Sequence, residues 1–368
     1  MDDRIHVSSI TLHRGEEPPI SGKKGVVNVF FPSCNMQCIY CQNWEISCRG
    51  TQGKVMSLDE VCDAIIGLLP QSENNLGFVS PSHFVLQMIM IVEELRKRGH
   101  FPAVIYNTNG YDLAETIRSL EGMVDVWLPD FKYSDDELAT RLSQAPGYSM
   151  YAMASLKEMI HQVGTTLHTD DNGIARRGII IRHLVLPGFI ENSLGVLQLI
   201  ADNLSPNLHI SLMSQYYPPD NPAFVAHDRG DWGKNHKSQF ADSGQTPRRS
   251  SEQETFRMEP GVVGGSTKPV CENVPTDSGE HGGMINPVKV PGPMESGDSG
   301  GRINLLHTPA LMEPGASGRK SLSRTLSRAE YETVVESFHS LGFTRGWLQE
   351  YESHRTYRPD FSKELPFE

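Results

Sequence analysis

Residues 26–41 read VVNVFFPSCNMQCIYC. The apolar run Val26–Phe31 has the composition of a strand, and Pro32 stops it. Cys34, Cys38 and Cys41 follow at once, in a Cys-x3-Cys-x2-Cys spacing. They therefore sit in the loop after the C-terminal end of a first strand. In parallel α/β architectures that edge is where ligands bind.

Outward from this strand, residues 1–221 alternate short apolar runs with amphipathic stretches, the pattern of βα units and a parallel sheet. The reading predicts strands over Val26–Phe31, Gly77–Ser80, Ala103–Asn107, Val124–Pro129, Gly178–Leu186 and His209–Met213. It predicts helices over Leu58–Leu69 behind the N-cap Ser57, over Phe84–Arg98 with Gly99 as a stop, and over Ser149–Val163 ending at Gly164. Six strands with intervening helices suit a partial (βα)6 barrel and an open α/β sheet equally well. Residues 222–324 are dominated by Gly, Ser, Pro, Asp and Glu and hold no sustained apolar period. Such a segment cannot bury enough surface to offset its ordering entropy, so a long, largely disordered insertion is expected there. Beyond it, Tyr331, Val334, Val335 and Phe338 fall on one helical face within Ser327–Leu341. That helix, with an edge strand in Arg345–Tyr351, is expected to pack back on the first domain as a segment 325–352, leaving 353–368 as a tail.

The chain has 368 residues, enough for a large core, and a formal net charge of -12. An acidic surface disfavours nucleic-acid partners, whose binding depends on Lys and Arg neutralising phosphates. The best apolar run, His83 to Val92, is about half a membrane span and holds a Gln. The start, MDDRIHVSSI, is charged and has no apolar signal region. A soluble, cytoplasmic protein without membrane or nucleic-acid partners is expected. Of its six cysteines, three cluster within eight residues and Cys48, Cys62 and Cys271 are scattered. In a large cytosolic chain that clustering favours metal ligation over a disulfide framework.

Three close thiolates can hold three irons of a cubane and leave the fourth iron open to a small molecule. A cluster used only for electron transfer normally has a fourth cysteine. The competing reading is a structural zinc site of Cys3His type with a remote histidine. Zinc sites more often use two- or four-residue spacings in pairs, and the aromatic Tyr40 before the last cysteine points to the cluster. Cys48 stands as a conceivable fourth ligand, although Cys48, Cys62 and Cys271 read as ordinary small apolar residues.

CNMQCIYC resembles the signature of the radical S-adenosylmethionine (SAM) superfamily. The longer string GEEPPISGKKGVVNVFFPSCNMQCIYCQNWEIS at 15–47 is similar to a branch of homologues of pyruvate formate-lyase activating enzyme. Further matches are NTNGY at 107–111, DVWLPDFKY at 125–133, QVG at 162–164, RGIIIRHLVLPG at 177–188, MSQYYPP at 213–219 and SRAEYETVVESFHSLG at 327–342. The resemblance implies a partial (βα)6 radical SAM barrel, with a [4Fe-4S] cluster on Cys34, Cys38 and Cys41 and SAM at the C-terminal mouth of the strands. It implies reductive cleavage of SAM to a 5'-deoxyadenosyl radical for hydrogen abstraction. The substrate is then a glycyl-radical-type protein or a small molecule, and the electron donor a flavodoxin or ferredoxin.

Asn107 and Asn109 end the third predicted strand, and Asp130 and Lys132 the fourth, so both pairs face the cysteine mouth if the strand reading holds. A carboxylate and an ammonium there suit the zwitterionic end of SAM. Matched residue by residue, the resemblance assigns Asn107, Asn109, Asp130, Lys132 and Arg182 to SAM and places Tyr40 by the adenine. A surface ion pair at Asp130 and Lys132, and a strand end snorkelling its tip at Arg182, are the alternatives. Many radical SAM enzymes carry Gly-Gly-Glu after the second strand to receive the amino group. Here that stretch is Val79-Ser-Pro-Ser-His83, which leaves Ser80, Ser82 and His83 as candidates.

Overall fold

Residues that alternate along a strand face opposite sides of its sheet, and this chain uses the two sides differently. The computed structural model describes residues 4–48, 50–219, 322–351 and 353. In chain order its strands are β1 (Arg4–Val7), β2 (Ser9–His13), β3 (Val26–Phe30), β4 (Lys54–Ser57), β5 (Asn75–Val79) and β6 (Ala103–Thr108). They continue with β7 (Val126–Pro129), β8 (His168–Thr169), β9 (Ala175–Leu184), β10 (His209–Met213) and β11 (Gly346–Leu348). Among the described residues, nine strands form one sheet in the order β11-β10-β9-β7-β6-β5-β3-β2, with β8 on the side of β9. All neighbours from β3 to β11 pair parallel, while β2 and β8 pair antiparallel. β1 and β4 make a separate antiparallel pair.

Helices Leu58–Leu68, Val85–Lys97, Tyr148–Val163 and Ile190–Asn203 bury one stripe each against the sheet. Their residues Ile65, Ile91, Leu156 and Leu197 join Val27, Val29, Phe78 and Ile181 in the main core. The other face carries a smaller apolar plug of Val26, Ile105, Val126, Leu128 and Ile180. Two residues further along the same strands, on that same face, stand Asn28, Asn107, Asp130 and Arg182. The inner face thus runs from apolar to polar toward the C-terminal strand ends.

The sheet is curled. β3 and β9 are four ladder steps apart, which in a flat sheet is about 19 Å. Yet one carboxylate, Glu16, accepts from Asn28 on β3 at 3.1 Å and from Arg182 on β9 at 3.2 Å. Likewise Gln42, in the loop after β3, donates to the carbonyl of Gln215, beyond β10, at 3.2 Å. Gly77 is a condition of this arrangement: a Cβ there would lie 2.1 Å from Asn28 Oδ1.

The six predicted strands all form, β10 with the predicted ends and the other five with shifted ones. Ser80 falls outside β5, in a left-handed conformation with φ 49°. β9 starts at Ala175 and releases Val185 and Leu186 before the Pro187-Gly188 turn. Among the elements that sequence periodicity missed are β1, β2, β4, β8 and the helices Asp136–Ser143 and Ile190–Asn203. The C-terminal helix Arg328–Ser340 and β11 pack on the β10 edge. Leu322 and Leu326 are already buried, and Tyr216 donates to the Leu322 carbonyl at 2.6 Å. Packing therefore begins ahead of the boundary at 324 expected from composition. Residues 222–321 and 354–368 lie outside the described residues. Among the described residues, no helix is long and apolar enough to cross a membrane.

Candidate functional site

The curl gathers the C-terminal strand ends around a cavity of about 220 Å³. Its lining includes Cys34, Cys38, Cys41 and Tyr40 together with Glu16, Asn107, Asp130, Lys132 and Arg182, and Asn109 and Ser80 as well. Every residue that the sequence reading assigned to the cluster or to SAM therefore borders one space.

Each cysteine sulfur has polar company. Cys34 accepts from the Met36 amide at 3.4 Å and from Asn109 Nδ2 at 3.3 Å. Cys38 accepts from Ser143 Oγ at 3.0 Å, and Cys41 lies 3.6 Å from Ser47 Oγ. Burial pushes the Cys34 thiol up to about 11 and Cys38 up to about 12, and it raises Cys41 as well. As free thiols they would stay protonated at neutral pH; bound iron would deprotonate them outright. Among the described residues, no three His, Cys, Asp or Glu side chains sit close enough to share one metal ion. A cubane does not ask for that, because each thiolate reaches a separate iron. Three half-buried thiols on one loop, bordering one cavity, with N–H donors on Cys34 and an O–H donor on Cys38, fit the iron–sulfur group. Cys62 is buried elsewhere in the core, against the helix Val85–Lys97. Cys48 is disulfide-bonded, which corrects its reading as an ordinary thiol or fourth ligand; Cys271 lies outside the described residues.

In the same lining, Asp130 accepts from Lys132 Nζ at 2.6 Å and from Arg182 Nε at 2.8 Å. Arg182 also donates to Asn107 Oδ1 at 2.6 Å, and Asn107 Nδ2 donates to Glu16 at 3.3 Å. Burial works to raise the Asp130 carboxyl, but the Arg182 guanidinium and the Lys132 ammonium outweigh it and hold it below the usual carboxylate range. Burial likewise opposes the charge on Lys132, and the Asp130 carboxylate more than restores it. This is a buried polar network, not the surface pair that was the alternative for Asp130 and Lys132. Asn109 is committed to the cysteine loop, since its amide donates to Asn35 at 2.7 Å as well as to Cys34.

Of the three candidates for an amino group, only Ser80 lines the cavity. His83 bonds the Pro32 carbonyl at 2.8 Å, and Ser82 lies 3.5 Å from Thr108 Oγ1. Sequence reasoning missed Glu16 as a site residue. The available signal was paired acids, Glu16-Glu17, directly before Pro18-Pro19 and behind a short apolar alternation.

The fold and site define an α/β protein with a parallel sheet and a thiol-lined cavity at its C-terminal edge. No family model matches the chain. It is 29% identical over 227 residues to the uncharacterized protein MJ0674 of Methanocaldococcus jannaschii, a match covering 58% of this chain and 59% of that one. Among solved structures it is similar to Streptococcus suis SuiB bound to precursor peptide SuiA, with a TM-score of 0.34 and 10% identity over 57% of this chain and 45% of that one. It is also similar to the FeFe-hydrogenase maturase HydG from Carboxydothermus hydrogenoformans, with a TM-score of 0.34 and 12% identity over 54% and 47%. A third is native anSMEcpe with bound AdoMet, with a TM-score of 0.34 and 11% identity over 59% and 58%. The chain thus spans three fifths or less of each of these proteins.

Proposed function

We propose that this chain is a radical SAM enzyme built on a partial (βα)6 barrel, with Cys34, Cys38 and Cys41 holding one [4Fe-4S] cluster. The observation that carries the reading is the shared cavity, lined both by the cysteine triad and by a charged network from three strand ends. Bound there, the cluster would supply the electron that splits SAM into methionine and a 5'-deoxyadenosyl radical. The protein's own part is orientation. Arg182 and Lys132 offer cationic donors for a carboxylate, Asp130 and Glu16 offer carboxylates for an ammonium, and Tyr40, also on the lining, is the aromatic proposed for the purine. The curled sheet keeps most of this away from bulk water, which strengthens each of these contacts.

For the hydrogen donor we propose a backbone glycine of a partner protein, on the resemblance of the motifs to activating enzymes. A flavodoxin or ferredoxin is the proposed electron source. The test is anaerobic reconstitution with iron and sulfide. About four irons per chain, absorbance near 400 nm and release of 5'-deoxyadenosine with methionine under reduction are expected. Replacing any one of Cys34, Cys38 or Cys41 with Ala should abolish all three. Zinc in place of iron, or a full cubane in Cys38→Ala, refutes the assignment. Incubation with a small-molecule pool and with co-purified proteins then decides which class of substrate loses hydrogen.

A further inference from the structure

Beside the cysteine loop runs a line of buried hydroxyls. Tyr40 Oη lies 2.5 Å from Tyr133 Oη, which lies 2.5 Å from Ser143 Oγ, and Ser143 donates to Cys38 Sγ at 3.0 Å. Tyr40, Tyr133 and Ser143 are all buried. Each hydroxyl has one proton to give, so the direction of the chain follows by counting. Ser143 spends its proton on sulfur and must accept from Tyr133; Tyr133 must then accept from Tyr40. The backbone locks the arrangement. Ser143 ends the helix Asp136–Ser143, whose last carbonyls accept from the cysteine loop: Leu142 from the Ile39 amide and Ser143 from the Gln37 amide, both at 2.9 Å. Nothing in the proposed orientation of SAM requires the two inner hydroxyls.

We infer that Tyr40, Tyr133 and Ser143 form a one-directional hydroxyl relay that donates into the Cys38 sulfur and raises the reduction potential of the cluster. This inference rests on the iron–sulfur reading of the triad. Reduction adds negative charge that spreads onto the thiolate ligands, and a donor aimed at sulfur stabilises the reduced form more than the oxidised one. Aligned hydroxyls polarise one another, so Ser143 donates more strongly with Tyr133 behind it than alone. Tyr40 borders the cavity while its hydroxyl heads the relay, three hydrogen bonds from Cys38.

The experiment is potentiometric titration of the reconstituted protein, followed by visible absorbance and EPR, in wild type, Ser143→Ala, Tyr133→Phe and Tyr40→Phe. Iron content is measured first. Wild-type protein that loads no cluster overturns the underlying reading, and the relay with it. With clusters loaded, all three midpoints should move negative. The largest shift is expected in Ser143→Ala, about a tenfold weaker reduction, or ~59 mV for a one-electron couple. Tyr133→Phe should follow and Tyr40→Phe should shift least. Tyr106→Phe, which deletes a buried hydroxyl bonded to Asp112 outside the relay, should not shift. A Tyr133→Phe midpoint equal to wild type overturns the relay, even if Ser143→Ala shifts. Should Ser143→Ala fail to fold, the two Tyr→Phe variants keep their rings and decide the question.

Discussion

Asp130 is the side chain on which the cavity's charge balance turns. It neutralises two cations at once, Lys132 and Arg182, and all three are mostly withdrawn from solvent. Removing one partner of a buried ion pair costs about 3–5 kcal/mol, because the remaining charge is left uncompensated. Asp130→Ala is therefore expected to lose stability on that scale in urea denaturation and to weaken SAM binding in titration calorimetry, with cluster loading retained. Wild-type SAM affinity in that variant would show that the network is structural only. His183, the neighbour of Arg182, faces the other way. Its Nδ1–H donates to the Phe131 carbonyl at 2.7 Å, which leaves Nε2 to accept from Ser193 Oγ at 2.8 Å. Burial pushes its pKa down to about 4, so the native state holds the neutral ring. The unfolded chain binds the proton first, near pH 6.5, so stability is fully present above that pH and is lost as pH falls toward 4. That window carries about 3 kcal/mol from this one group. His183→Gln should flatten the slope of unfolding free energy between pH 6.5 and 4, and an unchanged slope would exclude the residue as its source.

At the scale of elements, the C-terminal helix shows how a distant segment is held. Ser327 and Glu330 form a reciprocal capping box at its start. The same Glu330 carboxylate accepts from the Gly188 amide at 2.7 Å, in the loop after β9, and from Arg324. One side chain thus caps a helix and ties it to the sheet. Ser327→Ala should cost about 1 kcal/mol as an ordinary N-cap loss. Glu330→Ala should cost more, since it also removes the hydrogen bonds from the Gly188 amide and Arg324. Denaturation midpoints of the two variants test the order, and equal costs would mean that the Gly188 contact adds nothing.

For the whole molecule, the question is what residues 220–321 contribute. Their composition lacks a sustained apolar period, and joining two chain ends costs an entropy that grows only slowly with the length between them, so the insertion is expected to be dispensable for folding. The packing of Leu322 and Leu326 sets where the cut must stop. A Gly-Ser linker replacing 220–321 should leave folding, cluster loading and uncoupled SAM cleavage near wild type. Extending the deletion through Leu326 should lower the melting temperature, because it removes two buried leucines and the Tyr216 hydrogen bond. Insoluble protein from the shorter deletion would place the segment within the fold.

The amino-acid sequence by itself determined the six parallel strands, three of the four helices that cover the sheet and the cysteine loop, because those signals are local. Apolar periodicity, caps and a three-cysteine spacing all lie within a few residues of one another. It did not disclose β2, whose role as an antiparallel edge depends on pairing with β3. Nor did it disclose Glu16, which matters only because curling of the sheet brings β3 and β9 to the same carboxylate. Asn109 was read as a strand end at the mouth, but that it also donates to Cys34, and that Tyr133 connects through Ser143 to Cys38, no local pattern announced. Those assignments belong to the tertiary structure. Hydrogen-bond partners separated by 75 to 166 positions are chosen by how the sheet closes, and no local pattern encodes them.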